Sequence, residues 1–227
     1  MIKSVLFDLE GTLVERSFND PETFQKVLER RGIQISVEEV KKAVHQVKMK
    51  VGDVIEDKCG KIPRLEYHNL WNTNILKVLR IEDHDKSILK EVSDKWMYIC
   101  GMTLRQNARS ILTALRTRGM KTGIISGVYE EEIWKILHIV SLDGRLFDIV
   151  VGSDTILKRK PNPEVFNYAL RKLGMEPHEA LYVGDDVEKD YKVAEIVGMT
   201  PLLIGKSEDT VGMRKIENLI SLIDYLD

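Results

Sequence analysis

The sequence is poor in the features that mark secreted, membrane-spanning or metal-thiolate proteins. It has two cysteines in 227 residues, Cys59 and Cys100, which lie far apart and show no zinc or redox spacing. We therefore expect reduced thiols in a cytoplasmic protein. The apolar runs fall short of a membrane span, and no secretory signal is expected at the amino terminus.

Neither sign of charge is in excess. The chain carries 34 Lys and Arg residues against 36 Asp and Glu residues, a formal net charge of −2, and these charges are scattered. Because there is no basic tract, nucleic acid is not expected as a partner. The five histidines show no metal-ligand spacing, so we expect them at the surface or at helix ends.

Short apolar segments alternate with helical patterns through most of the chain. The segments predict strands at 2–7, 121–126, 147–152, 180–185 and 200–205. Between them, glycine stops and an Asn-Pro start predict helices at 104–118, 129–138, 162–173 and 187–197. This alternation predicts an α/β fold with a doubly wound parallel sheet.

One long segment breaks this alternation. Between residues 15 and 95 there is no convincing strand, and helical stretches at 21–31, 36–50, 65–79 and 85–98 are separated by Gly32, Gly52, Gly60 and Pro63. We therefore predict a core domain formed by 1–14 and 96–227, and a smaller helical cap domain at 15–95.

Acids and other polar residues follow the predicted strands where the strands end. The first strand runs into Asp8 and Glu10 in the stretch VLFDLEGTLV, and the others are followed by Ser126, Lys160, Asp185, Asp186 and Asp190. In an open parallel sheet, ligands bind outside the carboxyl ends of the strands. Packed carboxylates repel one another unless a cation joins them, and oxygen ligands without His or Cys suit Mg²⁺.

These residues resemble the motifs of the haloacid dehalogenase superfamily. DLEGTLV is similar to its first motif, the strand ending in Ser126 to its second, Lys160-Pro161-x-Pro163 to its third, and GDDVEKD (184–190) to its fourth. The resemblance implies a Rossmann-like core, with a helical cap inserted between the first two motifs. It also implies hydrolysis of a small phosphorylated metabolite by a monomer or homodimer.

The resemblance further implies a role for each site residue. Asp8 is expected to be the nucleophile that forms a phospho-aspartyl intermediate. The implied Mg²⁺ ligands are Asp8, the backbone carbonyl of Glu10, and Asp185, with Asp190 or Asp186 adjusting the shell. The residues implied to bind phosphate are Gly11, Thr12, Ser126, Gly127 and Lys160.

Glu10 departs from the family pattern, in which an Asp at this position protonates the leaving oxygen and then activates water. The extra methylene moves the carboxyl by roughly an angstrom, which matters where catalysis depends on position. Because Glu keeps the functional group, we expect Glu10 to serve as the general acid and base. Two alternatives stay open: a 2-haloacid dehalogenase-like hydrolase, and a catalytically weak phosphate-binding regulatory module.

Overall fold

The structure is a computed structural model that describes residues 1–205 and 211–226. The chain forms two compact units, one made of Met1–Glu15 and Thr103–Asp227 and the other of Arg16–Met102. The predicted limits of the core and cap as independent domains stay a prediction, and within the predicted core range residues 206–210 and 227 lie outside the described part.

The strands confirm the predicted α/β fold. They are β1 (Ser4–Phe7), β2 (Val14–Arg16), β3 (Met102–Leu104), β4 (Lys121–Ile125), β5 (Ile149–Val151), β6 (Ala180–Gly184), β7 (Thr200–Ile204) and β8 (Lys215–Ile216). A six-stranded parallel sheet has the order β5-β4-β1-β6-β7-β8, and β2 pairs with β3 in a separate two-stranded sheet.

The helices fall into two runs along the chain. The first run is α1 (Asp20–Arg30), α2 (Val37–Glu56), α3 (Arg64–Leu79) and α4 (Ser87–Ile99), and the second is α5 (Ala108–Thr117), α6 (Glu130–Ile139), α7 (Pro163–Leu173) and α8 (Lys192–Val197). A π-helical turn, Val187–Tyr191, precedes α8. In the described part of the chain, no helix is both long and apolar enough to cross a membrane.

The sheet topology sets the place where a ligand can bind. Strand β1 is central and fully buried, and its last residue, Phe7, lies level with Ile124 of β4 and Val183 of β6. The chain passes from β1 to β4 and β5 on one side and then returns to β6 on the other side. This reversal of strand order creates a crevice at the carboxyl ends of β1 and β6, the usual ligand position in such sheets.

The unit Arg16–Met102 has an apolar interior of its own. Its buried cluster comes from all four helices and consists of Phe24, Val27, Leu28, Val40, Ala43, Val47, Ile75, Leu76, Ile88 and Val92. Two helix starts are fixed by reciprocal side-chain caps, Asn19 with Glu22 at α1 and Ser36 with Glu39 at α2. Such caps pair backbone N–H groups that a helix otherwise leaves unsatisfied.

Three local predictions were wrong. Helix α2 continues through Gly52 to Glu56, because this glycine is buried and a Cβ there would lie 3.6 Å from the Trp71 ring of α3, so packing between the helices outweighs its poor helix propensity. The helix predicted at 104–118 begins only at Ala108, after β3, because Asn107 takes a left-handed conformation. The helix predicted at 187–197 begins with the π-helical turn.

Candidate active site

Asp8 lies at the carboxyl end of the central strand. Its backbone N–H donates to the carbonyl of Val183 on β6 at 2.8 Å, so the strand pairing extends to the residue itself. Its side chain is only 9% exposed. Burial raises the pKa of Asp8 to about 7; Lys160 opposes this shift, while Asp190 and Asp185 add to it.

Lys160 is a buried cation with three partners. Its Nζ donates to Asp8 Oδ1 at 2.5 Å, to Asp190 Oδ1 at 2.6 Å and to the Tyr182 hydroxyl at 3.1 Å. Burial alone would lower the pKa of Lys160, but Asp8 and Asp190 together hold it above its ordinary value. An ammonium group has three N–H donors, so these contacts engage its full donor capacity.

Tyr182 is the site residue that the sequence analysis missed. It lies on β6, is 1% exposed, and its hydroxyl lies 3.1 Å from the carbonyl oxygen of Ile125 and 3.2 Å from Asp190 Oδ1. Its ring packs edge-on against Phe166. In sequence it is one more aromatic in a buried strand, and the only signal was its position two residues before Gly184 in ALYVG.

The π-helical turn separates the three acids that follow β6. The Asp186 carboxylate caps the turn by accepting the N–H groups of Glu188 and Lys189, at 2.9 and 2.8 Å. Asp190 instead lies inward, where its Oδ2 accepts the Asp186 N–H at 3.2 Å. It packs on Gly184 so closely that a Cβ on this glycine would come within 2.4 Å of it.

Asp8, Asp185 and Asp190 form one acidic cluster, in which one carboxylate oxygen from each lies within 4.8 Å of the others. Burial raises the pKa of Asp185, and the neighbouring Asp190 raises it further. Such a group fits a hard divalent cation, because Mg²⁺ binds carboxylate oxygens and retains waters. The exposed position of Asp185 leaves that side of the cluster open to water.

The turn after Asp8 brings Gly11 directly under the acidic cluster. Gly11 has φ +83°, and a Cβ there would lie 2.1 Å from Asp185 Oδ2, so both its backbone conformation and the available space require glycine. Glu10 forms a backbone bridge with Val14, and the Gly11 N–H donates to the Val14 carbonyl at 2.7 Å. The Thr12 hydroxyl is buried and has no hydrogen-bond partner among the described residues.

Ser126 and Gly127 follow β4, the strand beside β1. Ser126 is buried, and its N–H donates to the Val151 carbonyl at 2.9 Å. Gly127 is exposed, and a Cβ built on it would meet nothing within 4 Å. The strand register therefore brings both residues to the same edge of the sheet as Asp8.

Comparison with known proteins supports a single family. Residues 2–198 match the family model described as haloacid dehalogenase-like hydrolase. The chain is 28% identical over 214 residues to a glyceraldehyde 3-phosphate phosphatase of Methanocaldococcus jannaschii, covering 92% of this chain and 88% of the relative. It is 29% identical over 186 residues to a phosphoglycolate phosphatase of Aquifex aeolicus, covering 81% and 76%.

A solved structure has the same fold. The magnesium-bound crystal structure of YfnB from Bacillus subtilis, described as a HAD-hydrolase, superposes with a TM-score of 0.75 at 19% identity, covering 99% of this chain and 98% of that one. The chain therefore belongs to the haloacid dehalogenase-like hydrolases. Its helical insertion between β1 and β4 is consistent with the family subclass that carries its cap at that point.

Proposed function

We propose that the protein is a Mg²⁺-dependent phosphatase that hydrolyses a small phosphomonoester through a phospho-aspartyl intermediate on Asp8. The observation that carries this proposal is the buried contact between Asp8 and Lys160 within the acidic cluster, at the carboxyl end of β1. A buried carboxylate held by a buried ammonium is costly for stability alone, so this arrangement favours a chemical role.

The reaction has two balanced steps. An Asp8 carboxylate oxygen attacks phosphorus, the bond from phosphorus to the ester oxygen breaks, and Glu10 donates its proton to the departing alkoxide. Water then attacks the phosphoryl group, Glu10 takes up a proton from that water, and the bond from phosphorus to Asp8 breaks to release phosphate. Asp8 is thereby regenerated and Glu10 is protonated again.

Mg²⁺ would be held by Asp8, the backbone carbonyl of Glu10, and Asp185, with Asp190 supporting the shell. When bound, the ion offsets the repulsion between a phosphate dianion and the Asp8 carboxylate. Asp186 was included in the predicted ligand set; its carboxylate serves instead as the cap of the π-helical turn, so we assign it a supporting part.

Phosphate binding is assigned to residues at the same edge of the sheet. We propose that Lys160 neutralises the transferring group and that Ser126 and the Gly127 N–H bind its oxygens. Gly11 would let the backbone approach the phosphate, and the buried Thr12 hydroxyl would steady the turn. Phosphoryl transfer depends mainly on positioning and charge compensation, which this set of residues can supply.

The substrate class follows from size and from the relatives. Two relatives are named for glyceraldehyde 3-phosphate and phosphoglycolate, both small phosphate monoesters. We propose a small phosphorylated metabolite of this kind as the substrate. The cytoplasmic location and the monomeric or homodimeric state predicted from the sequence stay predictions.

One specific observation favours a second candidate function. Glu10 stands where the family pattern has Asp, and a misplaced acid would leave a phosphate-binding regulatory module with little turnover. This module would bind phosphate in the presence of Mg²⁺ without hydrolysing esters. The dehalogenase alternative gains no comparable support, because such an enzyme needs neither a leaving-group acid nor the cluster formed by Asp185 and Asp190.

The decisive assay is phosphate release from p-nitrophenyl phosphate and a panel of small sugar and carboxylate phosphates. It is run with Mg²⁺, with EDTA, and with Asp8→Asn as the blank. We expect turnover that requires both Mg²⁺ and Asp8. Phosphate binding without turnover would favour the regulatory module, whereas EDTA-resistant chloride release from 2-chloropropionate would favour the dehalogenase.

A further inference from the structure

Arg105 contacts the turn that carries Glu10, although it is 94 residues away from Gly11 in sequence. It follows β3, and its backbone N–H donates to the Leu13 carbonyl at 2.9 Å. Its side chain is 19% exposed, so most of the guanidinium is shielded from water. Nothing in its sequence surroundings, MTLRQNA, marks it as a site residue.

The guanidinium group binds the turn at two points. Nη2 donates to the Gly11 carbonyl at 2.5 Å, and Nη1 lies 3.1 Å from Glu15 Oε1. The third donor, Nε, is buried and has no hydrogen-bond partner among the described residues. A buried donor without an acceptor lowers stability, so the site carries this cost for a contact that serves another purpose.

The Gly11 carbonyl is a sensitive point because the turn is otherwise held by its own backbone. The Leu13 and Val14 N–H groups both donate to the Leu9 carbonyl at 2.9 Å. Gly11 also has no free space on the side of Asp185, as its φ and the 2.1 Å approach of a Cβ show. Movement of the Gly11 peptide would therefore shift Glu10 relative to the acidic cluster.

We propose that Arg105 is a positioning residue that fixes the backbone of Glu10 and Gly11 and thereby places the Glu10 carboxyl for proton transfer. This inference rests on the proposed phosphatase function. It explains how a Glu can serve where the family pattern has Asp: the longer side chain works only if the backbone behind it is held in one place. The same contact would set the Glu10 carbonyl for Mg²⁺.

The test is a double-mutant cycle of Arg105→Met with Glu10→Gln. Arg105→Met should lower kcat for alkyl phosphates by about 100-fold, with little change in KM and a much smaller loss on p-nitrophenyl phosphate, because only poor leaving groups need the acid. In the Glu10→Gln background the same change should cost about twofold or less, since the acid is already gone.

Two further variants separate positioning from general damage. Arg105→Lys can keep one hydrogen bond to Gly11, so it should recover part of the loss. Arg109→Met is the matched control, because Arg109 also donates to a backbone carbonyl, that of Ser141 at 2.6 Å, away from the turn. It should leave kcat for both ester types unchanged. If Arg105→Met does not fold, the cycle is run with Arg105→Lys.

A binding measurement tests the inference without turnover. Isothermal titration with Mg²⁺ should show affinity about tenfold lower in Arg105→Met than in the wild type and unchanged in Arg109→Met. Loss of ester hydrolysis in the wild type itself would refute the proposed function, and this titration would still decide the role of Arg105. Unchanged Mg²⁺ affinity, additive losses in the cycle, or equal losses on both ester types would overturn the positioning role.

Discussion

The two ends of the parallel sheet hold their carboxylates in opposite ways. At the amino ends, Asp148 precedes β5 and accepts the Thr122 N–H at 2.9 Å, Arg116 Nη1 at 2.5 Å and Lys121 Nζ at 3.1 Å. Partial burial would raise the pKa of Asp148, but the Thr122 N–H and the two cations outweigh it and lower the pKa. This carboxylate is stabilised in its charged form.

At the carboxyl ends the balance is reversed. Three carboxylates cluster there, and Lys160 binds two of them, Asp8 and Asp190. Burial raises the pKa of both Asp8 and Asp185, so the fold resists full ionisation of the cluster. The comparison teaches that one end of the sheet uses charge for stability, whereas the other holds excess negative charge for a cation and for chemistry.

The largest effect that would sharpen this comparison is at Glu10. Glu10→Gln removes the proposed proton donor, so it should slow alkyl phosphates by about 100-fold or more and p-nitrophenyl phosphate far less. Steady-state kinetics on both ester types measures this ratio. Equal slowing of the two esters would show that Glu10 is not the acid.

Mg²⁺ should stabilise the protein in a pH-dependent manner. Metal binding requires ionised Asp8 and Asp185, whose pKa values are raised in the metal-free fold, to about 7 for Asp8. Binding should therefore release protons and weaken as the pH falls through about 7. With Mg²⁺ at about 100 times its Kd, the gain in unfolding free energy is about 2.7 kcal/mol near pH 8.

Differential scanning calorimetry at about pH 8 and about pH 5 checks the sign of this effect. The Mg²⁺-induced rise in Tm should be larger at the higher pH and should vanish in Asp185→Asn, while Asp148→Asn keeps it. An equal rise at both pH values would contradict the raised pKa values as the cause.

Tyr182→Phe tests whether Lys160 depends on its third partner. The variant keeps the ring that packs on Phe166 but leaves one buried Lys160 N–H without its acceptor. We expect kcat to fall about tenfold, equivalent to about 1.4 kcal/mol in the barrier. Tyr168→Phe, a partly buried ring on the same apolar cluster, is the control and should leave kcat unchanged. Loss of kcat in both variants would point to packing instead.

The smallest effect is expected at the opposite end of the sheet. Asp148→Asn should lower the free energy of unfolding by about 1 kcal/mol near neutral pH without altering kcat. Because the pKa of Asp148 is lowered by folding, its contribution is present above the ordinary Asp pKa and is lost as the pH falls through the folded value.

Urea unfolding of wild type and Asp148→Asn should therefore differ near neutral pH and converge below about pH 3. Asp143→Asn, which removes an exposed ion pair with Arg145, serves as the surface control. A loss of phosphatase activity in Asp148→Asn would break the proposed division between the two ends of the sheet.

The sequence predicted the fold and most of the residues that meet at its functional edge. Strand ends of a parallel sheet converge, so acids following β1 and β6 and the Lys160 loop could be expected to lie together. The contacts of Lys160 with Asp8 and Asp190 agree with that reasoning. The roles assigned to these residues stay predictions until they are measured.

What the sequence did not reveal depends on long-range contacts and local irregularity. Tyr182 has the pattern of a core residue, and Arg105 reaches Gly11 across 94 residues. The π-helical turn, which turns Asp190 inward and leaves Asp186 as a cap, has no simple periodic pattern. Gly52 was misjudged as a helix break because its packing against Trp71 cannot be inferred from local propensity.

The most direct test of the account is to trap the covalent intermediate. Wild-type protein is mixed with Mg²⁺ and p-nitrophenyl phosphate, quenched in acid within the first turnover, digested and examined by tandem mass spectrometry. The account predicts an acid-stable, hydroxylamine-sensitive phosphoryl group on Asp8, absent from Asp8→Asn. Hydrolysis that proceeds without such a group, or with the group on another residue, would contradict it.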